Sequence, residues 1–471
     1  MPLTDDLRTL LGPANLLTGA DMAPYTGDWT GLYTAKPLAV ARPANRDEVA
    51  ATLRAAAAAG VAVIASGGRT GLVGGLMTNG GLMLSLGRMN RIREIRPGSR
   101  VAVVEAGVIL TALHAAAEAA GLYFPLWFGA RGSATIGGAL STNAGGSNVL
   151  RYGSTRGLCL GLEVVLADGR VLDLMGALHK DNSGYDLRDL FIGAEGTLGV
   201  ITAAVMRLVP RPRAYATATL GMARLGDALE LLNRLQTASG GLVEAFEFMP
   251  DTYMRRLVEA RPDVGEPFAA RHPVNILVEL GATAPHLADP GPDGAVPLVS
   301  LLEVALADMM EAGTVADAVV AQTEAQRQKM WQRRELAAEI TVARKPSIDT
   351  DIALPLDGVE AFFKHFAVRL KALDPGAETM SVAHLGDGNV HFTVFPSRND
   401  PALHDQVISA VEDEVQALGG SFSAEHGVGL SKLASMARRK NPVALEVMRA
   451  LKSALDPAGL LNPGKVVPRG H

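Results

Sequence analysis

The stretches SGGRTGLVGG, residues 66–75, and GARGSATIGGALSTNAGGSNVLRY, residues 129–152, decide the fold of this chain. A third glycine block, GAEGTLG, occupies residues 193–199. Backbone N–H groups in glycine-rich loops can approach phosphate oxygens closely because no Cβ intervenes. The blocks therefore predict loops that bind a phosphate-bearing ligand. We expect residues 129–152 to form a binding loop system rather than a conventional core element.

Two common phosphate-binding loops do not fit these blocks. A dinucleotide fingerprint needs Gly-x-Gly-x-x-Gly between a strand and a helix, whereas GRTGLVG, residues 68–74, has another spacing and leads to a strand-like run. A Walker A loop needs Gly-Lys followed by Ser or Thr, but residues 464–466 are GKV. A single block would equally fit a tight turn at the rim of a sheet. Three blocks favour ligand-binding loops.

The elements around the blocks predict a mixed α+β fold. Asn45, with Glu48 three residues later, resembles a capping box before an alanine-rich helix that ends at Gly60. The first block then joins two strand-like runs, at 61–65 and 82–86. The other predicted elements are a strand at 101–105, a helix at 111–120, a hairpin at 161–166 and 170–174, and a helix at 442–455.

The length of 471 residues exceeds the size at which a single core stops growing, so several domains are expected. VPRPR, residues 209–213, is typical of a linker. We predict one domain over 1–212, a second over 213–425, and a segment over 426–471 that returns to the first domain.

Composition and charge argue against several classes of protein. The net charge of -5 offers no basic surface for nucleic acid. The longest apolar stretch, 55–65, is shorter than the roughly 20 residues that span a bilayer, so we expect no integral membrane segment. Asp5 and Asp6 stand where an export signal needs positive charge, and the single Cys159 cannot form an intramolecular disulfide. We therefore expect a cytoplasmic protein.

Two histidines flank a turn in SVAHLGDGNVHFTVF, residues 381–395. If residues 386–389 close a hairpin, Leu385 faces Val390 and His384 faces His391 across the two strands. Two neutral imidazoles so placed could share a divalent metal, with SAEHGVG, residues 423–429, supplying a third ligand. The alternative is a pair of partly buried polar residues that pack the turn.

The three glycine blocks, in this order, resemble the FAD-binding domain of the vanillyl-alcohol-oxidase superfamily, over about residues 38–210. The resemblance implies that the blocks wrap the pyrophosphate, the flavin and the adenosine. None of the blocks contains a histidine or cysteine, so we expect FAD to be bound non-covalently. The FAD-binding residues that the resemblance implies are Gly67, Gly68, Thr70, Gly71, Ser133, Gly137, Asn143, Gly145, Gly196, Ile201 and, in the segment NPGK, Asn462.

HLGDGNVH, EHGVG and NPGK resemble the C-terminal part of D-lactate and D-2-hydroxyglutarate dehydrogenases. The resemblance implies a substrate (cap) domain built on an antiparallel sheet. It also implies a metal site of His384, His391 and Glu425, most simply for Zn2+, with Mn2+ as the alternative. The implied catalytic residues are His426 as the base, Arg334 of WQRRE as the cation for the substrate carboxylate, and Asn389.

The resemblance implies FAD-dependent oxidation of a D-2-hydroxy acid, with hydride transfer to flavin N5. Ala338 and Asp349 stand where the 2-hydroxyglutarate enzymes carry a threonine and a lysine. D-lactate or a longer apolar acid is therefore at least as plausible a substrate as 2-hydroxyglutarate. A quinone, a cytochrome or an electron-transfer flavoprotein would accept the electrons, and a homodimer is expected. Two alternatives are a non-redox transferase of the alkyldihydroxyacetonephosphate synthase type and a flavoprotein electron carrier.

Overall fold

The computed structural model describes residues 2–469 in two units. The first unit contains residues 2–145, 153–210 and 425–469, and the second contains 146–152 and 211–424. The predicted divisions at 212 and 425 differ from these by one or two residues. Residues 1, 470 and 471 of the predicted domains lie outside the described part.

The sequence did not predict that residues 146–152 belong to the second unit. Leu150 of this segment packs on the hydrophobic core of that unit. Arg151 Nη1 donates to the carboxylate of Glu244 at 2.7 Å, and the hydroxyl of Tyr152 donates to the same carboxylate at 2.5 Å. The segment thus leaves the first unit because its apolar and charged side chains have their partners in the second.

The strands and helices follow in chain order. In residues 2–469 the strands are β1 (Leu16–Leu17), β2 (Ala39–Ala41), β3 (Val63–Ser66), β4 (Leu82–Ser85), β5 (Ile92–Arg96), β6 (Val101–Glu105), β7 (Leu122–Tyr123), β8 (Cys159–Val165), β9 (Val171–Leu174), β10 (Val200–Arg207), β11 (Val209–Pro210), β12 (Ala214–Met222), β13 (Val243–Pro250), β14 (Val274–Ala282), β15 (Asp317–Val320), β16 (Ile348–Ala353), β17 (Glu378–His384) and β18 (Asn389–Phe395). The α-helices in the same residues are α1 (Pro2–Leu11), α2 (Arg46–Ala58), α3 (Leu110–Ala119), α4 (Ile136–Thr142), α5 (Val149–Tyr152), α6 (Thr155–Leu158), α7 (Arg188–Phe191), α8 (Asp227–Ser239), α9 (Asp251–Ala260), α10 (Pro285–Ala288), α11 (Pro297–Glu311), α12 (Glu324–Glu335), α13 (Ala337–Val342), α14 (Val359–Leu373), α15 (Pro401–Ala417), α16 (Leu433–Arg439) and α17 (Pro442–Leu455).

The first unit contains a small mixed sheet and an antiparallel sheet. The small sheet has the order β1-β2-β4-β3, in which β2, β3 and β4 run parallel, and the antiparallel sheet has the order β5-β6-β10-β8-β9. Helix α2 begins where the sequence predicted, because the Asn45 side chain accepts hydrogen bonds from the N–H groups of Asp47 and Glu48. The Glu48 carboxylate accepts from the N–H of Ala44, one residue before the expected position.

The second glycine block is not only a loop system, which corrects the prediction for residues 129–152. It contains the short helix α4, whose Ile136 and Leu140 are fully buried. The Thr135 hydroxyl caps this helix by accepting from the N–H of Gly138. The small residues let the helix pack closely, since a Cβ at Gly137 would lie 2.6 Å from the Cβ of Ala106.

The second unit is built on a seven-stranded antiparallel sheet of order β15-β12-β14-β13-β17-β18-β16. One face carries a large apolar core that includes residues of α8, α11, α14 and α15. Residues of α9, α12 and α13 pack in a second cluster with side chains of the opposite face, among them Leu277, Met380 and Val382. Because successive residues of a strand point to opposite faces, the same face also receives Glu247, His384 and His391.

The register of the β17–β18 hairpin differs from the prediction. His384 pairs with Asn389 and His391 pairs with Val382, so the turn contains residues 385–388. Gly388 adopts a positive φ of 80°, and a Cβ there would lie 2.1 Å from the carbonyl oxygen of Leu354. The glycine therefore closes the turn one residue earlier than expected. The two histidines become diagonal neighbours on one face, which is still compatible with a shared ligand.

Within residues 2–469, no helix is both long enough and apolar enough to cross a membrane.

Replacing Phe362 by alanine should destabilise the second unit by about 3–5 kcal/mol. The Phe362 ring is fully buried and lies 5.7 Å from Phe366 and 5.4 Å from Phe392 between ring centroids. Chemical denaturation measures the loss. Val368→Ala in the same helix is the control, since Val368 is 75% exposed. Equal stability of the two variants would contradict the described core.

Candidate active site

The first and second glycine blocks touch within the first unit. A Cβ at Gly67 would lie 2.5 Å from the hydroxyl of Thr135, and one at Gly68 would lie 2.1 Å from the carbonyl oxygen of Ser133. Glycine is thus required at both positions by the close approach of two chain segments. Gly71 differs, because a Cβ there would meet no atom within 4 Å. The first loop therefore has one side against the second block and another that is open.

Glu195 and Asn462 join the third block to the C-terminal segment of the same unit. The Glu195 carboxylate accepts hydrogen bonds from the N–H groups of Val428 at 2.7 Å and Gly429 at 2.9 Å. Burial raises the pKa of this carboxyl, while these two bonds oppose the rise. The Asn462 amide donates to the carbonyl oxygens of Gly75 and Glu195. All three blocks and the NPGK segment are consequently assembled at one place.

Several polar groups at this place are suited to a phosphate-bearing cofactor. Among residues 2–469, the Ser66 hydroxyl and the Asn462 Oδ1 atom are buried without a hydrogen-bond partner. In the same described chain, residues 67–71 donate no backbone hydrogen bond. Buried polar groups are normally paired, so the Ser66 hydroxyl and the Asn462 oxygen fit a ligand that offers polar atoms. Residues 67–71 are partly or fully exposed, and their N–H groups are open to the same ligand. This arrangement is compatible with FAD.

Other residues predicted to contact FAD have structural partners. The Asn143 side chain accepts from the Ser154 hydroxyl and the Arg156 N–H, and its φ of 50° ends helix α4. Ile201 is buried in β10, and Gly137 packs on Ala106. The remaining predicted residues lie in the blocks themselves: Thr70 accepts from Trp29, Gly145 is buried, and Gly196 has a φ of 72°.

In the second unit, Glu247 is a fully buried carboxylate. It contacts two of the predicted site residues, His384 and Arg334. Its Oε1 atom lies 2.8 Å from Nδ1 of His384, and its Oε2 atom accepts from Nε of Arg334 at 2.7 Å. Burial alone would raise the pKa of Glu247, but its contacts with His384 and Arg334 outweigh burial and hold the pKa below its usual value. Glu247 is therefore an ionised acceptor.

The contacts of His384 assign one tautomer to its ring. Nδ1 faces an ionised carboxylate, which can only accept, so Nδ1 carries the proton. Nε2 lies 3.4 Å from Nη2 of Arg334, which can only donate, so Nε2 presents a lone pair. Both neighbours favour the tautomer that a metal ion needs at Nε2.

His391 lies beside His384 and has its own buried carboxylate. The two rings are 5.4 Å apart between centroids, and a nitrogen of each lies within 4.8 Å of the other. Small side-chain rotations would let both nitrogens reach one ion. Oδ1 of Asp351 lies 3.7 Å from Nδ1 of His391 and accepts from the Asn389 amide at 2.8 Å. Since the Asn389 amide also donates to the Ile352 carbonyl, its oxygen is the atom that could contact a substrate.

The two arginines of WQRRE have different partners, although both are buried. Arg333 donates to the carbonyl oxygens of Val264 and Gly265, so it holds a loop. Arg334 lies beside His384, as described above. Neither arginine lies on a solvated helix face. Only Arg334 is positioned to bind an anion near His384.

Glu425 and His426 lie where the chain passes from the second unit to the first. The preceding Ala424 donates its N–H to the carbonyl oxygen of Asp351 within the second unit. Val428 is held by Glu195 within the first unit. The Glu425 carboxylate lies 3.8 Å from Nε2 of His426.

Comparison with known proteins identifies the family. The description "FAD linked oxidases, C-terminal domain" matches residues 211–466, and "FAD binding domain" matches residues 37–175. The D-2-hydroxyglutarate dehydrogenase of Xanthomonas citri pv. viticola is 37% identical over 95% of this chain and 93% of that protein. The protein of the same name from Stutzerimonas stutzeri is 37% identical over 98% of both chains. This chain belongs to the FAD-dependent D-2-hydroxy-acid dehydrogenase family.

Solved structures confirm the fold class of this family member. A p-cresol methylhydroxylase aligns with a TM-score of 0.75 at 17% identity, over 98% of this chain and 96% of that chain. A 4-ethylphenol oxidase from Gulosibacter chungangensis aligns with a TM-score of 0.72 at 19% identity, over 99% and 97%. An alkyldihydroxyacetonephosphate synthase aligns with a TM-score of 0.69 at 17% identity, over 99% and 86%. At these identities the likeness shows the vanillyl-alcohol-oxidase-type fold alone.

Glu247 and Asp351 are the site residues of this enzyme that the sequence analysis did not select. Glu247 lies in VEAFEFMP, a strand whose residues are otherwise mostly apolar and buried. A charged residue in such a strand is costly unless it is paired, which is the signal that could have identified it.

Replacing Gly68 by alanine should lower the FAD content of the purified enzyme and destabilise its first unit by about 1–3 kcal/mol. The added Cβ would overlap the Ser133 carbonyl, so the first loop must move away from the second block. Flavin absorbance per chain and thermal denaturation measure the two effects. Gly98→Ala is the matched control, since a Cβ there meets nothing within 4 Å. Full FAD content in both variants would contradict this packing.

Proposed function

We propose that this enzyme oxidises a D-2-hydroxy acid to the 2-oxo acid, with FAD as the immediate electron acceptor and a divalent metal held by His384, His391 and Glu425. The observation that carries the proposal is the position of the Nε2 lone pair of His384, beside His391 and next to the Arg334 guanidinium. A metal ligand and an anion-binding cation thus occur together in a family whose named relatives act on a 2-hydroxy acid.

The donor set fits a borderline divalent cation. Two imidazoles and one carboxylate, with open positions, are the ligands of many catalytic Zn2+ sites, and Mn2+ would accept the same atoms. Such an ion would bind the substrate hydroxyl and lower its pKa. Glu425 is proposed as the third ligand because it follows Ala424, which is hydrogen-bonded to the Asp351 backbone in the second unit.

The chain's own residues would then divide the remaining work. Arg334 would hold the substrate carboxylate, because a guanidinium can donate two parallel hydrogen bonds to it. His426 would accept the proton of the substrate hydroxyl, and Asn389 would contact the substrate through its amide oxygen. Bound FAD supplies the acceptor for the C2 hydrogen, which would arrive as a hydride at flavin N5.

We infer that FAD is held non-covalently, since neither His nor Cys occurs in the three blocks. The first block and the NPGK segment provide groups suited to it: the open side of the first loop at Gly71, the Ser66 hydroxyl and the Asn462 amide oxygen. We also predict a homodimer and a cytoplasmic location. The predicted final electron acceptor is a quinone, a cytochrome or an electron-transfer flavoprotein.

The proposed substrate is D-lactate or a related D-2-hydroxy acid, with D-2-hydroxyglutarate as the alternative. The named relatives act on 2-hydroxyglutarate, which carries two carboxylates. Asp349, on the strand of Asp351 and two residues before it, is an exposed anion whose hydrogen-bond donors are Ser347 and Thr393. A negative charge on this strand disfavours a second substrate carboxylate nearby, and Ala338 offers no polar group. D-lactate or a longer apolar D-2-hydroxy acid is therefore at least as compatible with the chain as 2-hydroxyglutarate.

Anaerobic mixing with D-2-hydroxy acids should bleach the flavin absorbance, and the matching L-acids should not. D-lactate, D-malate, D-2-hydroxyglutarate and longer acids are compared by stopped-flow, before and after chelation. Removing the metal should slow flavin reduction by more than about 100-fold, since a bound metal contributes several kcal/mol to such a step.

The same measurement separates the alternatives. A transferase without net redox change, or an electron carrier, would leave the flavin oxidised with every acid. Equal reduction by D- and L-acids, or an unchanged rate after complete metal removal, would contradict the proposed reaction.

A further inference from the structure

We propose that Glu247 is a positioning residue that holds the metal-binding tautomer of His384 and the orientation of Arg334 at the same time. The inference rests on the proposed function, which makes His384 a metal ligand and Arg334 the cation for the substrate. Glu247 itself would touch neither metal nor substrate. Its role would pass through the two side chains that its oxygens bind.

The burial of Glu247 makes the arrangement rigid. The side chain of this carboxylate is 1% exposed, and its two oxygens have their hydrogen-bond partners within the protein. One oxygen faces His384 and the other faces Arg334. Breaking either contact would leave a buried charge without part of its compensation, which is strongly unfavourable. The cost of burying this one carboxylate therefore keeps both His384 and Arg334 in contact with it.

The two contacts prepare different groups for function. The Nδ1–H of His384 points at Glu247, so the lone pair of Nε2 points away from it. The Nε–H of Arg334 points at the other oxygen, which fixes the plane of the guanidinium. Nη2 lies 3.4 Å from Nε2 of His384, and the other N–H bonds of the Nη groups can bind an anion. Helix α12, which carries Arg334, is also fixed in place, because the buried Tyr253 hydroxyl donates to the Arg333 carbonyl oxygen.

Substitution of Glu247 by glutamine separates this role from simple packing. The glutamine amide has one accepting oxygen and one donating nitrogen, whereas the carboxylate has two acceptors. If the oxygen faces Arg334, the NH2 group faces Nδ1 of His384 and forces the proton onto Nε2. If the oxygen faces His384, two donors oppose each other at Arg334. Glutamine can therefore satisfy one partner only.

Glu279 supplies a matched control in the same sheet. It is also buried, and its carboxylate accepts from Arg327 at 2.7 Å, from the Trp331 indole at 2.8 Å and from Thr217. E279Q removes an equally buried charge and an arginine partner, but it does not bind His384 or Arg334. The two variants should lose comparable thermal stability.

The test compares the FAD-loaded wild-type enzyme, E247Q and E279Q after metal removal. Competition with a chromogenic chelator measures Zn2+ affinity without any turnover. We expect E247Q to bind Zn2+ about 10–100-fold more weakly, as for other outer carboxylates of metal-bound histidines, and E279Q to keep the wild-type affinity. In steady-state assays KM for the acid should also rise in E247Q. Equal Zn2+ affinity in E247Q and E279Q would overturn the positioning role.

A measurement on the wild-type chain covers the case in which E247Q fails to fold. Long-range 1H–15N spectra of the metal-free enzyme, labelled at histidine nitrogens and assigned with His384→Ala, report the tautomer directly. We expect a protonated Nδ1 and an unprotonated Nε2 at His384, and a proton on Nε2 would overturn the inference. Failure of the proposed function looks different: the wild-type enzyme would then bind no stoichiometric Zn2+, and the positioning role would fall with it.

Discussion

The arrangement of polar groups in the second unit depends on one buried carboxylate. Glu247 is an acceptor on both oxygens, and its two partners are the imidazole of His384 and the guanidinium of Arg334. A buried anion is stable only with such partners, so the strand β13, the strand β17 and the helix α12 are brought together by the same requirement. The Nε2 lone pair of His384, on which the proposed metal site depends, is a consequence of that requirement.

The first unit depends on a comparable constraint made by backbone groups. Gly67 and Gly68 allow two chain segments to approach more closely than any side chain would permit. Glu195 then joins the third block to the segment that follows His426, by accepting from Val428 and Gly429. Two atoms left without hydrogen-bond partners there, the Ser66 hydroxyl oxygen and Asn462 Oδ1, match the needs of the FAD that the family binds.

Local signals predicted the elements of the fold well. The Asn45 cap, the strand Val101–Glu105 and the helix Pro442–Leu455 follow from residues that are neighbours in sequence. The hairpin register was wrong because Gly388 closes the turn against Leu354, which is distant in sequence. The helix Ile136–Thr142 was missed because glycines and small residues hide the spacing of its two buried apolar side chains.

The candidate site shows the same division between local and long-range information. His384, His391, Glu425 and His426 stand in short motifs, so the sequence selects them together. Glu247 was missed because its importance arises from partners 87 and 137 residues away. The segment 146–152 was likewise assigned to the first domain, since the pairing of Arg151 with Glu244 is invisible in the sequence. Ionic pairs between residues far apart in the sequence are the information that only the structure supplies.

Anomalous diffraction from crystals of the Zn2+-loaded enzyme tests the central claim most directly. The account predicts one anomalous peak bound by Nε2 of His384, with His391 and Glu425 as the other protein ligands, at about 2.0–2.2 Å. Coordination through Nδ1 of His384, or a peak that excludes both histidines, would contradict it.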